Sequence, residues 1–370
     1  MKSNLRIYWL TNLPAPYRIP IFHEVGNRYI LHVDFLLSNK NWRKWSSPHG
    51  ENFSFTFLSL KHLKILDFEF VPGLRIRRNE LAKSQIVVIG SWEAPQYLWT
   101  ALVAKLTKKT LILIYESTLE SQRYTNRFIH LIRSSFFKKG DLVVAFGDES
   151  REALLRMGVS QKKVLQLFNP IPRVSSDSFK VEPKANSHRY LFVGQLIARK
   201  NIDGLISAFA EMRNQSDTLT ILGEGKMQRA LIEQVETLQL VSHVKFISHI
   251  EPSQMNTFYQ GFCTLVLPSF REVWGLVVNE ALANGLHVVV SNKCGSASFV
   301  QNMRGVYITN NSEKSLVSQM KRSSEEFKGK ILNPEIWQYD TFAFSTKLVK
   351  AIDRVHKSLA RDNHPRGVVK

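Results

Sequence analysis

The sequence predicts an α/β protein of two Rossmann-like, doubly wound parallel-sheet domains facing each other across an interdomain cleft. Two patterns and the break between them carry that expectation. Across residues 190–308, short and almost continuously apolar runs alternate with stretches of helical period, as in a parallel sheet covered on both faces. Residues 7–168 repeat the alternation less tidily. Between them, residues 169–187 are rich in Pro, Ser and Lys and lack any period, so they read as a linker. A chain of 370 residues is long enough for two domains that each bury a core. In doubly wound sheets the ligand crevice lies outside the carboxyl ends of the strands, and the cleft is expected there.

In the first domain, apolar runs at 7–10, 31–37, 53–58, 86–89, 111–115, 142–146 and 164–168 predict strands. Helical patterns fall at 95–106, 124–137 and 148–157. In the second, strands are predicted at 190–193, 219–222, 244–247, 264–267, 288–290 and 306–308. Ile202, Leu205, Ile206, Phe209 and Met212 recur at three- and four-residue spacing and mark an amphipathic helix. The run 344–355 is amphipathic again, and the basic tail from about Arg361 is expected to fray. No internal repeat or low-complexity tract interrupts this plan.

Composition narrows the function classes. With 44% hydrophobic and 22% charged residues the chain is neither disordered nor membrane-spanning. No apolar run approaches the roughly 18 to 20 residues that cross a bilayer. The start, Met1-Lys2-Ser3-Asn4, leads straight into a strand and lacks the apolar core of a signal peptide. Cys263 and Cys294 make neither a disulfide framework nor a zinc site, and the expected compartment is the reducing cytoplasm. The anomaly is a net charge of +19. Residues 1–170 carry 25 Lys and Arg against 13 Asp and Glu, and residues 171–370 carry 25 against 18. Such a field favours phosphates, anionic lipid surfaces or nucleic acid.

Glu272 and Glu280 stand eight positions apart in a segment that reads strand, loop, helix, strand. Glu272 falls in the loop, and Glu280 about two turns into a helix otherwise nearly all apolar. A carboxylate among apolar neighbours needs a hydroxyl or cationic partner. The N-terminus of the same helix favours an anion. Acids that hold hydroxyls beside a phosphate-binding helix end describe a nucleotide-sugar site.

Glu272-x7-Glu280 with Trp274-Gly275-Leu276, followed by Cys294-Gly295, resembles the donor-binding signature of family 4 (group 1) retaining glycosyltransferases of GT-B architecture. Upstream, Gly194-Gln195-Leu196-Ile197-Ala198-Arg199-Lys200 follows a predicted strand and is similar to that family's phosphate-binding loop. Lys200 matches the family lysine, whereas Gln195 stands where arginine is usual, so a charged phosphate contact is lost and Arg199 is the cation to replace it. The resemblance implies donor contacts from Gly194, Gln195, Arg199, Lys200, Ile250, Glu272, Val273, Trp274, Gly275, Leu276 and Glu280. Glu280 would take ribose hydroxyls, and Glu272 the donor sugar or reacting face. Gly223-Glu224-Gly225 reads as a turn, since Gln228 replaces the third glycine of a dinucleotide fingerprint. The resemblance further implies domains of 1–170 and 171–343, with a crossover helix at about 344–360 joining the first.

In the first domain, Asn12-Leu13-Pro14-Ala15-Pro16-Tyr17-Arg18 resembles the family's first cleft loop without its glycines, making Pro14, Ala15 and Arg18 acceptor-side candidates. Tyr115-Glu116-Ser117 replaces a usual histidine, and Glu116 joins Glu272 and Lys200 as a catalytic candidate. The resemblance implies a UDP- or GDP-sugar donor and a glycan or lipid-linked acceptor in cell-surface polysaccharide or lipopolysaccharide synthesis. No Asp-x-Asp pair occurs, so neither metal nor other cofactor is expected. Residues 127–139 place cations beside large apolar side chains, as in a membrane-surface helix or an ordinary helix with a basic edge. An anionic membrane surface is therefore an expected partner. A basic nucleic-acid-binding protein is the alternative from another class, though no interleaved aromatic-basic motif supports it and nucleic acid is not expected. A sugar-nucleotide epimerase is the alternative within the same fold.

Overall fold

The computed structural model describes residues 2–37, 52–58, 63–65, 68–70, 77–118, 126–171, 174 and 187–362. Most of the expected linker and the basic tail beyond 362 lie outside the described residues. The chain divides into two units, Met1–Pro172 with Thr341–Lys370, and Arg173–Asp340.

The first unit runs β1 (Arg6–Thr11), α1 (Ile19–Arg28), β2 (Ile30–Phe35), β3 (Ser54–Phe57), β4 (Leu63–Ile65), β5 (Phe68–Phe70), α2 (Arg78–Lys83), β6 (Ile86–Ile89) and α3 (Pro95–Leu106). It continues with β7 (Thr110–Tyr115), α4 (Arg127–Lys138), β8 (Leu142–Phe146), α5 (Gly147–Arg156) and β9 (Val164–Leu167). Seven strands form a parallel sheet in the order β3-β2-β1-β6-β7-β8-β9, and β4 pairs with β5 as a separate antiparallel ribbon. Side chains alternate with period two. Ile7 and Trp9 pack on one face with Phe22 and Val25 of α1, whereas Tyr8 and Leu10 pack on the other with Tyr97 and Ala101 of α3.

Periodicity reading missed α1. Its apolar stretch is short and contains Gly26, a poor helix former. The fold explains that glycine, because a Cβ there would lie 2.3 Å from the backbone oxygen of Asn52.

The second unit runs β10 (Arg189–Val193), α6 (Ile202–Met212), β11 (Thr218–Leu222), α7 (Gln228–Thr237), β12 (Val244–Ile247), α8 (Met255–Gln260) and β13 (Thr264–Leu267). Then follow α9 (Leu276–Ala283), β14 (His287–Ser291), α10 (Ala297–Val300), β15 (Val306–Thr309) and α11 (Glu313–Glu326). Its six-stranded parallel sheet has the order β12-β11-β10-β13-β14-β15. The last helix, α12 (Thr341–Asp362), packs in the first unit, where Phe344, Leu348, Ala351 and Ile352 are buried. The Tyr29 hydroxyl donates to Asp353 at 2.6 Å and ties α12 down. Two doubly wound parallel sheets are what the alternation predicted. No helix among the described residues is long and apolar enough to cross a membrane. Both cysteines are free and buried.

Strand order reverses between β1 and β6 in one sheet and between β10 and β13 in the other. At such switch points the loops leave in opposite directions and open a crevice at the carboxyl ends of the strands.

The second core contains a titratable polar cluster. His188 is buried, with Nε2 2.8 Å from the Thr264 hydroxyl, which in turn lies 2.7 Å from that of Ser323. Burial, aided by His287 and Arg189, pushes the His188 ring down to about 3 from 6.5. The unfolded chain then binds the proton first on acidification, so this unit should lose stability as pH falls from about 6.5 to about 3. Thermal melts across that range check it. His188→Gln should flatten the slope, and an unchanged slope would exclude His188 as its source.

Candidate functional site

In the second unit, Lys200 and Glu272 meet at the switch point. Lys200 comes from the loop after β10, where a short 3-10 turn, Ala198–Lys200, ends at Asn201 in the left-handed conformation (φ 54°). Glu272 comes from the loop after β13. Its N–H donates to the Lys293 carbonyl at 3.1 Å, and its own carbonyl accepts from the Gly295 N–H at 3.0 Å. The Cys294-Gly295 loop therefore holds Glu272 by its backbone. A Cβ on Gly295 would lie 2.0 Å from the Val273 oxygen, so only glycine allows this approach. Burial pushes the Cys294 thiol up to about 12 and keeps it neutral.

The Lys200 ammonium is buried against the Glu272 carboxylate in a short ion pair. Arg199 reaches the same carboxylate oxygen at 3.2 Å and also donates to the Arg271 carbonyl at 3.0 Å. A Cβ on Gly194 would sit 3.6 Å from the Lys200 ammonium, so the glycine lies directly against that cation at the strand end. Gln195 is exposed beside it. Trp274 is buried, Val273 is exposed, and Gly275 (φ 84°) opens α9 with Leu276 as its first residue. Ile250 follows the edge strand β12, two strands from β10, and is half-buried there.

Glu280 lies on α9 and is half-buried. Its carboxylate accepts a 2.8 Å hydrogen bond from Tyr259 of α8, which is completely buried. Burial raises the Glu280 pKa, and the Tyr259 hydrogen bond opposes that rise. The internal partner is thus a hydroxyl and not a guanidinium. Sequence reading did not find Tyr259, since nothing in a run of Phe and Tyr before a strand marks it.

Gly223 and Gly225 are more than a turn. A Cβ at Gly223 (φ 142°) would lie 1.9 Å from the Gly194 oxygen, and one at Gly225 would lie 2.2 Å from the Leu196 oxygen. The β11 loop presses backbone against backbone on the β10 loop, with Leu196 N–H donating to Glu224 at 2.9 Å. Two glycines two apart at a strand end were the available signal.

In the first unit, Arg18 and Glu116 form a short ion pair. Arg18 also donates to the Thr11 hydroxyl at 3.1 Å, and its guanidinium lies 5.6 Å from the Tyr17 ring centroid. Burial would lower the Arg18 pKa, but Glu116 together with Tyr17 and Tyr97 outweighs it and holds the guanidinium charged. Tyr97, buried close by, is pushed up by burial and stays a neutral phenol. Pro14 and Ala15 are buried, which corrects their reading as acceptor contacts: they shape the loop, and the Ala15 carbonyl caps Arg18 N–H at 2.8 Å. The structure thus brings the acceptor-side candidate Arg18 and the catalytic candidate Glu116 together.

Residues 174–327, within the second unit, match the family model described as glycosyl transferases group 1. Glycogen synthase of Mycobacterium tuberculosis is 26% identical over 180 residues, 48% of this chain and 44% of that protein. The O-antigen chain mannosyltransferase B of Escherichia coli is 26% identical over 183 residues, 46% of this chain and 47% of that one. The match thus spans less than half the length of these curated relatives. Among solved structures, HepE of Anabaena in complex with UDP aligns over 98% of this chain and 99% of its own, with a TM-score of 0.65 at 14% identity. The lipopolysaccharide outer core galactosyltransferase WaaB, in its apo form, aligns over 95% and 99%, with a TM-score of 0.68 at 13% identity. At these identities the likeness shows the fold, which is the GT-B type of two parallel-sheet α/β domains. Over residues 174–327 the chain is similar to glycosyl transferases group 1.

Proposed function

We propose that this chain is a retaining hexosyltransferase of family 4 that moves a sugar from a UDP- or GDP-sugar to a glycan or lipid-linked acceptor, without a metal ion. The observation that carries it is the joint placement of the Lys200–Glu272 pair and the half-buried Glu280 around one sheet edge and one helix. HepE structures with UDP and with UDP-glucose support a nucleotide-sugar donor. WaaB and the O-antigen mannosyltransferase support a cell-surface polysaccharide or lipopolysaccharide acceptor.

In this reading the N-terminus of α9 and the Lys200 ammonium take the donor phosphates, while Glu280 accepts from ribose hydroxyls. The anomeric C–O bond to phosphate breaks as the acceptor oxygen bonds the same face, and the leaving phosphate takes the acceptor's proton. The protein supplies position and relief of developing phosphate charge. Glu272 keeps the ammonium fixed before substrate arrives. Thermal-shift screening against UDP, GDP, ADP and their sugars tests the donor class, and no shift with any of them would reject it. Turnover lost to a chelator and restored by Mn²⁺ would reject metal independence. An epimerase would instead release free epimerised sugar with no acceptor present.

Glu280→Ala should weaken nucleotide binding about tenfold or more, whereas Glu272→Ala should chiefly lower turnover. Tyr259→Phe removes the hydrogen bond that opposes the raised Glu280 pKa. Nucleotide binding should therefore fail at a higher pH in that variant than in the wild type as the solution is acidified. A pH profile of the dissociation constant reads this directly, and superimposable profiles would remove Tyr259 from the site.

A further inference from the structure

Away from the strand ends, α3 and α4 of the first unit share an apolar surface that no described residue covers. A groove of about 420 Å³ runs between them, lined by Leu98, Ala101, Leu102, Leu131, Ile132 and Phe136 together with Ser135 and Lys139. On α3 the exposed stripe is Leu98, Trp99, Leu102 and Leu106, the last 74% exposed. On α4 it is Phe128 at 69% and Leu131 at 66%. The spacings 98, 102, 106 and 128, 131 keep each set on one helix face. A patch of this kind on a folded protein marks a contact surface.

The charges around the patch decide what it contacts. Lys108, Arg127, Lys138 and Lys139 are exposed at the ends of the two helices. Asp141 is neutralised by Lys105 at 2.6 Å. Arg133 is excluded from the rim, being buried with its guanidinium 4.6 Å from the Trp92 ring centroid. The first half of the chain also carries most of the excess positive charge. Apolar side chains with an exposed Trp, ringed by Lys and Arg, are complementary to the headgroup boundary of an anionic bilayer, not to a charged polynucleotide groove.

We propose that the α3–α4 face of the first unit docks on an anionic lipid bilayer, its leucines and Trp99 entering the acyl boundary and its cations meeting the headgroups. This deepens the proposed function, because a lipid-linked acceptor would then be brought to the enzyme by its surface. It stands on the first unit alone. Sequence reading pointed to α4 only, since the α3 stripe reads as an ordinary apolar helix until its partner is seen beside it.

The test is co-sedimentation of the full chain with phosphatidylcholine vesicles containing about 30% phosphatidylglycerol, and with pure phosphatidylcholine, at about 50 and 300 mM salt. The wild type should bind the anionic vesicles at low salt and release at high salt. Leu102→Gln/Leu131→Gln should lower partitioning about tenfold or more, and Arg127→Gln/Lys139→Gln by a similar factor. The same charge change on α11 of the other unit, Lys314→Gln/Lys321→Gln, should alter it less than about twofold. Nucleotide thermal shifts should persist in all three variants, so a failed donor reading is separable from a failed docking face. Equal binding by every variant, or equal binding to neutral vesicles, would overturn the proposal. So would a wild-type dimer that only the leucine variant dissociates, or binding to random duplex DNA in place of vesicles.

Discussion

Lys200→Met should lower turnover at least about a hundredfold, the scale expected when one preorganised donor to developing charge is removed. The same change should destabilise the second unit. Glu272 has a side-chain exposure of 14% and, among the described residues, would keep only Arg199, itself 40% exposed, as its counter-ion. Removing one member of a buried pair costs roughly 3 to 5 kcal/mol, because the remaining charge is left desolvated. Loss of activity alone therefore cannot separate chemistry from folding. The double variant Lys200→Met/Glu272→Gln does so. It removes the orphaned charge and should recover most of the lost melting temperature without recovering turnover. A single variant with turnover within about threefold of wild type would end the assignment of Lys200 to the phosphate.

Gly225→Ala should be nearly as damaging although it adds one methyl group. No positive φ is involved, so the effect is steric. The new Cβ would lie 2.2, 2.6 and 2.7 Å from three backbone atoms of Leu196, and neither loop can yield by rotating a side chain. The loops must part by about 1 Å, enough for roughly a hundredfold loss when a reacting group is misplaced. Two bonds that join them are at stake: Leu196 N–H to Glu224 at 2.9 Å and Met227 N–H to Leu196 at 3.0 Å. Gly261→Ala is the control, since its nearest contact, the Phe258 oxygen, lies at 3.3 Å and its φ is −71°. Activity and melting temperature should fall together in Gly225→Ala and change little in Gly261→Ala. Wild-type turnover in both would show that the β11 loop does not support the Lys200 loop.

These expectations rest on contacts that were only partly legible beforehand. The strands of both sheets were readable because parallel strands buried on two faces are apolar throughout, as in Leu111–Ile114 and Val288–Val290. The α9 helix was readable for the same reason, and Glu280 stood out within it. Gly194 and Lys200 were readable from their place after a strand. Helix α1 was not, since Gly26 serves a contact with Asn52 that has no local signature. Nor was the inward turn of Pro14 and Ala15, because a proline-rich loop looks the same whether it faces solvent or packs on a sheet.

By itself the sequence determined where strands alternate with helices, that two doubly wound sheets result, and which acids and cations stand at strand ends. These are properties of neighbours, set by period and by turn residues. Only the tertiary structure decided who meets whom. Arg18 finds Glu116 across 98 positions, Lys200 finds Glu272 across 72, and Tyr259 finds Glu280 from a separate helix. A parallel sheet gathers the carboxyl ends of distant strands onto one edge, and the strand order that selects those neighbours leaves no trace in local periodicity.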